Sequence, residues 1–393
     1  MQGRASCTII TYPGARRREF AKLAEFEQTQ VVTRARAMDL ITGDRLHCLE
    51  LAMGDEVEKR HVVSPLGLKI GRSAPADVIL ADSDVSRSHC MVLLKGDEVL
   101  VSDLNSTNGT YIDGVRVTEV TPLPIGSTLT IGNRIFKHEW RTRSEIEHAM
   151  ETDRELQRAA SYVKALLPGP SREGPIRSDW AYYPSAKLGG DVFGYGHLRD
   201  DLFVCYLIDV AGHGAGAAMH AVAIMNQLRQ RALPGTDMAR PEQVLATLNN
   251  LFQMDQHDGL YFTIWYGVYN AVTRRLDYAS GGHHAAYVVP PDRSVAIPMR
   301  TRNVVIGAMP DMQFNAGSLQ VPAGSQLYMF SDGVYEIIDK LGEQWSIEDF
   351  VELVLQKPSG EASEPQRLYR AVVAAAEPAT LDDDFSLVVF EID

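Results

Sequence analysis

The sequence predicts two domains of different fold class: an all-β sandwich over residues 41–140 and a mixed α/β or α+β domain over 179–393. A helix and a loop over 141–178 join them. Three observations predict this. The chain has 393 residues, too many for one ordinary hydrophobic core. Its first half carries short apolar runs separated by turn residues, and its second half alternates strand-like and helix-like runs. Between the halves lies a charged stretch free of glycine.

Residues 1–40 are rich in arginine, contain a second methionine at Met38 and show no strand alternation. They are expected to be a poorly ordered extension. From 41 to 140, the apolar runs 48–52, 66–70, 77–80, 90–94 and 98–102 alternate with Gly, Pro, Asn, Asp and Ser clusters. Short strands at close spacing with turn signals between them predict a β-sandwich. Asn108-Gly109 and Asp113-Gly114 are dipeptides of the kind that hairpin turns use.

The stretch 141–167 predicts a helix. Ile146, Met150, Leu156, Ala160, Val163 and Leu167 form an apolar stripe, charges fill the other faces, and Pro168 ends it. It is either a surface helix of one domain or a short coiled coil linking domains or subunits. Residues 168–178 are a loop by composition. Beyond them, strands are expected at 202–208, 261–269, 284–289, 326–330 and 385–391. Helices are expected at 214–232, 241–253, 346–356 and 364–376.

The formal net charge is −13. That argues against a broad nucleic-acid or anionic-membrane surface, because both need an excess of Lys and Arg. No apolar run approaches the length of a membrane span. Arg16, Arg17 and Arg18 are not followed by an apolar stretch, so a secretory signal is not expected. A cytoplasmic protein follows by elimination. Cys7, Cys48, Cys90 and Cys205 are scattered, which gives neither a zinc motif nor a disulfide framework. Cys90 and Cys205 lie in apolar runs and read as small core residues.

Two groups of residues carry chemistry. In the first domain, Arg72 follows a glycine at a strand end. Ser86, Arg87 and His89 share one tight loop, and Thr107, Asn108 and Gly109 another. Hydroxyls, an amide and two guanidiniums at one end of a sandwich suit a phosphate, which guanidinium binds bidentately. The pattern GRS, SRSH and STNGTYIDG closely resembles the forkhead-associated (FHA) domain. The resemblance implies that Arg72, Ser86, Arg87, Thr107 and Asn108 contact phosphothreonine and its peptide. It also implies that His89 braces the loop and that Gly109 permits the turn.

In the second domain, Asp191 follows Gly189-Gly190. Asp209 ends the apolar run LFVCYLI, Asp332 follows the run LYMFS, and Asp382, Asp383 and Asp384 precede FSLVVFEI. Asp is a poor strand residue, and a carboxylate at the end of a buried strand loses hydration. Four such positions suggest one cluster held together by cations. With oxygen ligands only, Mg²⁺ or Mn²⁺ fit best. Two such ions with a bridging water form a hydrolytic site for phosphoryl transfer. No GxSxG motif competes.

The blocks GGDVFGY, LIDVAGHGAGAAMHA, ASGGHHAAYVV, IGAMPD, LYMFSDGVYEI and DDDFSLVVFEI, in this order, resemble the PPM (protein phosphatase 2C) superfamily, and GHG and GGH point to its bacterial SpoIIE branch. That resemblance implies an α-β-β-α sandwich. It implies a serine/threonine phosphatase in which a metal-activated water attacks without a covalent phosphoenzyme. Asp191, Asp209 and Asp332 would bind two Mn²⁺ or Mg²⁺ ions with the Val210 carbonyl and Asp383 or Asp384, Asp383 being favoured. His213 would either hold the glycine-rich turn or give a proton to the leaving group, and His283 reads as a structural cap. Gly190, Gly212, Gly214 and Gly333 would let backbone approach metal or phosphate. The chain departs from the branch in lacking an aromatic directly after Asp191, and Ala285-Ala286 stand where prolines are frequent.

ELQRAASYVKALLPG resembles the helix ahead of SpoIIE-type catalytic domains, which in that family transmits input and often dimerises. A homodimer through this helix is therefore among the expected partners, beside phosphothreonine proteins at the first domain and phosphoserine or phosphothreonine substrates at the second. The sequence leaves two alternatives open. One is regulation of an anti-sigma-factor antagonist, and the other is a phosphothreonine-binding scaffold with weak catalysis.

Overall fold

The computed structural model describes residues 44–393 except 54, 55, 258, 359 and 378–380. The extension expected over 1–40, with Cys7, Arg16–Arg18 and Met38, lies outside the described residues. The chain divides into two compact units between Thr152 and Asp153.

In the first unit the strands are β1 (Arg45–Met53), β2 (Glu56–Val62), β3 (Leu68–Gly71), β4 (Val78–Ile79), β5 (Cys90–Lys95) and β6 (Glu98–Asp103). They continue as β7 (Thr110–Ile112), β8 (Val115–Arg116), β9 (Thr121–Pro122), β10 (Thr128–Ile131) and β11 (Arg134–Thr142). They form two sheets, ordered β2-β1-β11-β10-β7-β8 and β4-β3-β5-β6-β9. Apolar residues from both sheets share one core, among them Leu49, Phe136 and Leu129 from the first and Ile70, Val92 and Val101 from the second. This is a sandwich, as the alternating pattern requires. Asp113 (φ 47°) and Gly114 (φ 79°) make the β7–β8 hairpin turn, both left-handed as a type I′ turn demands. Asn108-Gly109 does something else. It links β6 of one sheet to β7 of the other and joins no paired strands.

Helix α1 (Arg143–Leu166) follows. Ile146 packs with Leu46 and Cys48 in the first unit. In the second unit, Leu156, Ala160, Val163, Leu166 and Leu167 join the core. Arg229 donates to the Leu166 carbonyl, satisfying one of the helix's terminal acceptors.

The second unit runs β12 (Ile176–Tyr183), β13 (Asp191–Arg199), β14 (Leu202–Val210), α2 (Ala215–Arg229), α3 (Pro241–Leu251), β15 (Phe262–Asn270) and β16 (Arg275–Gly281). It continues as β17 (Ala286–Val289), β18 (Ile297–Met299), β19 (Gly317–Gln320), β20 (Ser325–Phe330), α4 (Ile347–Leu355), α5 (Glu364–Ala375) and β21 (Phe385–Ile392). One antiparallel sheet is ordered β13-β14-β15-β16-β19 and the other β12-β21-β20-β17-β18. Between them Leu207 and Ile264 meet Leu327, Met329 and Phe390.

Helices α2 and α3 cover the first sheet, α5 covers the second, and α4 packs on α5. The unit is therefore an α-β-β-α sandwich. The sequence explains these layers. β14 is apolar on both faces, as a strand covered by a helix and a second sheet must be. α2 buries Ala217, Ala218, Ala221, Ile224, Met225 and Leu228, a helical stripe with small residues for close approach. α4 starts on a capping box between Ser346 and Asp349. Cys48, Cys90 and Cys205 are all buried, and burial pushes their thiols up, that of Cys48 to about 12. No helix among the described residues is long and apolar enough to cross a membrane.

Candidate functional site

In the second unit, Asp191 and Asp209 from one sheet and Asp332, Asp383 and Asp384 from the other come together at one end of the sandwich. Asp191 opens β13 and Asp209 is the penultimate residue of β14; they are direct cross-strand partners. Asp332 follows β20, and Asp383 and Asp384 immediately precede β21. β20 and β21 pair antiparallel, which brings these two chain ends side by side. Oxygens of Asp332, Asp383 and Glu336 lie within 4.8 Å of one another. Glu336 was not foreseen. The signal for it was its position four residues after Asp332, across the short helical turn Asp332–Val334, where the Glu336 N–H donates to the Asp332 carbonyl.

Burial and mutual repulsion raise the affinity of this group for protons. Asp191 is 2% exposed. Its carboxyl is held well above the usual range by burial first, then by Asp209 and Asp384. The Ser386 and Ser331 hydroxyls work in the opposite direction. Even so, the Asp191 Oδ2 atom is buried without a hydrogen-bond partner. Asp209 is pushed up to about 8 by burial, with Asp332, Asp383, Asp384 and Glu336 adding to it. Asp332 rises to about 6 through burial, Asp383 and Glu336. Asp383 is also raised, chiefly by burial. A cluster that resists ionisation while presenting an unsatisfied buried oxygen fits hard divalent cations.

Asp384 has a different setting from Asp383. Its Oδ1 accepts from the Ser185 N–H (2.8 Å) and Oγ (3.0 Å), and its Oδ2 accepts from the N–H groups of Gly190 (2.7 Å) and Asp191 (3.4 Å). Ser331 Oγ donates to its carbonyl at 2.8 Å. These bonds commit the carboxylate to protein donors and fix the Gly190-Asp191 backbone.

Gly190 leaves a further opening. A Cβ built there would lie 2.6 Å from the Val210 carbonyl oxygen and 3.1 Å from that of Gly212. The absent side chain keeps Val210 O accessible. His213 is exposed, and its charge works against the rise in the proton affinity of Asp383. His283 is buried, with its Nδ1 against the His284 carbonyl at 3.2 Å.

In the first unit, the Arg72 N–H donates to the Ser86 carbonyl at 2.9 Å. The Thr107 N–H donates to Ser86 Oγ at 3.0 Å, and the two hydroxyls lie 3.4 Å apart. Asn108 Nδ2 donates to the Asp84 carbonyl at 2.8 Å. His89 is fully buried and spans the two loops: its Nδ1 accepts from the Ser86 N–H (3.1 Å), and its Nε2 lies 3.1 Å from the Gly109 carbonyl. The tautomer with the proton on Nε2 satisfies both. Arg72, Arg87, Thr107 and Asn108 are exposed. Below them Asp103 accepts from Ser106 N–H and Oγ and from Thr110 Oγ1, which locks the second loop. The loops thus present donors to solvent from a rigid base.

The family model for stage II sporulation protein E (SpoIIE) matches residues 199–393, and that for the FHA domain matches 68–132. Phosphoserine phosphatase RsbP of Bacillus subtilis is 26% identical over 188 residues, 48% of this chain and 46% of RsbP. Phosphoserine phosphatase RsbU of the same organism is 24% identical over 261 residues, 66% of this chain and 76% of RsbU. This chain therefore spans less than half the length of RsbP. Among solved structures, the SiaA-PP2C domain of Pseudomonas aeruginosa superposes with a TM-score of 0.52 at 16% identity, over 63% of this chain and 99% of that one. That likeness is one of fold. With the two family models, the sandwich topology and the convergent carboxylates, the chain carries a SpoIIE-type PPM phosphatase domain with an FHA domain ahead of it.

Proposed function

We propose that this protein removes phosphate from phosphoserine or phosphothreonine of protein substrates, and that its FHA domain binds phosphothreonine partners. The observation that carries the first half is the meeting of Asp191, Asp209, Asp332, Glu336 and Asp383 at one sandwich end, with a buried Asp191 oxygen unpartnered. Asp191, Asp209, Asp332, Asp383 and the Val210 carbonyl would hold two divalent cations, Mn²⁺ or Mg²⁺. When bound, such ions supply a more acidic water and neutralise charge on phosphoryl oxygens.

The remaining roles belong to the chain. Asp384 orients Gly190 and Asp191 through its hydrogen bonds, and Gly190 clears the approach to Val210 O. His213, exposed and near enough for its charge to lower the proton affinity of Asp383, would give a proton to a departing serine or threonine oxygen.

The test is phosphate release from a phosphoprotein with Mn²⁺, compared between wild type and Asp209→Asn. Equal rates would end the assignment.

Arg72, Ser86, Arg87, Thr107 and Asn108 form the phosphothreonine site in this reading. A phosphothreonine peptide pull-down that Arg72→Ala leaves undiminished would sink that half alone. RsbP and RsbU, named as phosphoserine phosphatases, favour phosphoserine as the hydrolysed residue. An antagonist of an anti-sigma factor is then one substrate candidate, with FHA as a regulatory input. A catalytically weak scaffold is the other alternative, and the full set of carboxylates speaks against it. A cytoplasmic protein that dimerises through α1 completes the proposal. Met150 and Tyr162 are exposed on that helix.

A further inference from the structure

The FHA unit has a third guanidinium beside the two that its motif supplies. Arg116 lies on β8, directly across from Tyr111 on β7. Cross-strand partners share a face. Tyr111 uses that face to donate its hydroxyl to the Asn108 carbonyl at 3.2 Å. Arg116 reaches the same turn. A Cβ built on Gly109 would lie 2.8 Å from Arg116 Nε and 3.2 Å from its Cζ and Nη2. The guanidinium therefore rests on the Gly109 backbone, two residues beyond Thr107. The turn beneath it is held from the other side, because the Gly109 N–H donates to Ser106 Oγ and the Gly109 carbonyl meets His89. The type I′ turn at Asp113-Gly114 fixes the hairpin that carries Arg116.

Among the described residues, Arg72, Arg87 and Arg116 form no ion pair, whereas Arg60 and Arg141 pair with Glu50 and Arg134 with Asp82. Arg72, Arg87 and Arg116 are all exposed. In a chain of net charge −13, three unpaired arginines around one loop cluster are an anion-selective patch. Arg72 meets Ser86 through its backbone N–H, and Arg87 follows Ser86 in the chain. Arg116 lies at the Gly109 end of the Thr107–Gly109 turn, so a residue next to a phosphothreonine held at Thr107 would come within its reach.

Resting on the phosphothreonine reading above, we propose that Arg116 is a specificity-determining residue of the FHA site, and that it selects phosphothreonine peptides with a second negatively charged side chain close in sequence. Guanidinium bonds carboxylate and phosphate alike, so the second charge is an acidic residue or a second phosphorylated one.

The test is fluorescence anisotropy with the full chain. The probes are phosphothreonine peptides with alanine flanks, with Asp scanned over three positions on either side, and with phosphoserine at the preferred position. An unphosphorylated peptide is the control. Wild type is expected to bind one Asp-bearing peptide about tenfold more tightly than the all-alanine peptide. Arg116→Gln is expected to erase that preference while leaving the all-alanine phosphopeptide within about twofold, and Arg116→Lys to keep part of it. Relative binding of the Asp and phosphoserine arms identifies the preferred anion. No acidic preference in wild type, or equal weakening of all phosphopeptides by Arg116→Gln, overturns the inference and leaves the reader assignment standing. Failure of wild type to tell phosphorylated from unphosphorylated peptide overturns both.

Discussion

Asp191 and Asp209 face each other as direct cross-strand partners at the open end of β13 and β14, two carboxyl groups where an antiparallel pair ordinarily avoids like charge. Asp209 raises the proton affinity of Asp191, and Asp209 is itself pushed up by burial and by Asp332, Asp383, Asp384 and Glu336. A divalent cation relieves that repulsion. Mn²⁺ is therefore expected to raise the melting temperature of the phosphatase unit by several degrees. Asp209→Asn should abolish most of that rise and lower the hydrolysis rate by at least about a hundredfold. Calorimetry with and without Mn²⁺ checks the first, and phosphate release the second.

Glu336 shares the cluster with Asp332 and Asp383. Glu336→Gln keeps the size and removes the charge. It should weaken Mn²⁺ binding by about tenfold, read as a shift in the thermal titration midpoint, with little change in metal-free stability. An unchanged midpoint would remove Glu336 from the ion's surroundings.

Asp384 accepts four hydrogen bonds in a buried setting. Asp384→Ala strands the Ser185 and Gly190 donors. It should cost the phosphatase unit about 2–4 kcal/mol in urea denaturation with cation absent. Asp383→Ala, which loses the hydrogen bond from the Asp384 N–H rather than a set of four, should cost about 1 kcal/mol or less in the same experiment. Equal losses would contradict the division of labour between the two.

His47 and His138 make a neutral relay inside the FHA sandwich. Trp140 Nε1 donates to His47 Nε2 (3.3 Å), His47 Nδ1 faces His138 Nε2 (3.0 Å), and His138 Nδ1 faces the Leu123 and Pro124 carbonyls. Only one pair of tautomers satisfies every contact, and an added proton breaks it. Burial holds both imidazoles below their usual range; the nearby His138 pushes His47 further down, while Asp97 opposes on His47 and Glu139 on His138. The unfolded chain therefore binds these protons first as pH falls. The relay's stability is complete above about 6.5 and lost as pH drops below it. The urea midpoint of the FHA unit should fall between pH 7 and pH 5, and His47→Gln should flatten that slope.

The carboxylate positions were legible because Asp is misplaced at the end of an apolar run, and each such residue turned out to cap a strand of the sandwich. β13 escaped for the opposite reason. DVFGYGHLR carries two glycines, a histidine and an arginine, and its strand identity comes from pairing with β14 and from Tyr206 packing where Gly194 has no side chain. Propensity cannot report such a tertiary cause. Glu336 stands four residues after Asp332, a spacing that makes it a neighbour without marking it as a ligand; the return of β21 beside β20 adds Asp383 to the pair. Asn108-Gly109 has the composition of a hairpin turn but joins two sheets, because composition does not say which strands a turn connects.

The acid cluster takes Asp191 and Asp209 from one sheet and Asp332 and Asp383 from the other. An ion seated among them would act as a clasp across the two layers. Thermodynamic reciprocity then applies: whatever pries the sheets apart at that end must loosen the ion, and whatever strips the ion must let that end breathe. Chelation should accordingly speed amide exchange at the start of β13 and β21 together, and leave the opposite rim of the sandwich unchanged.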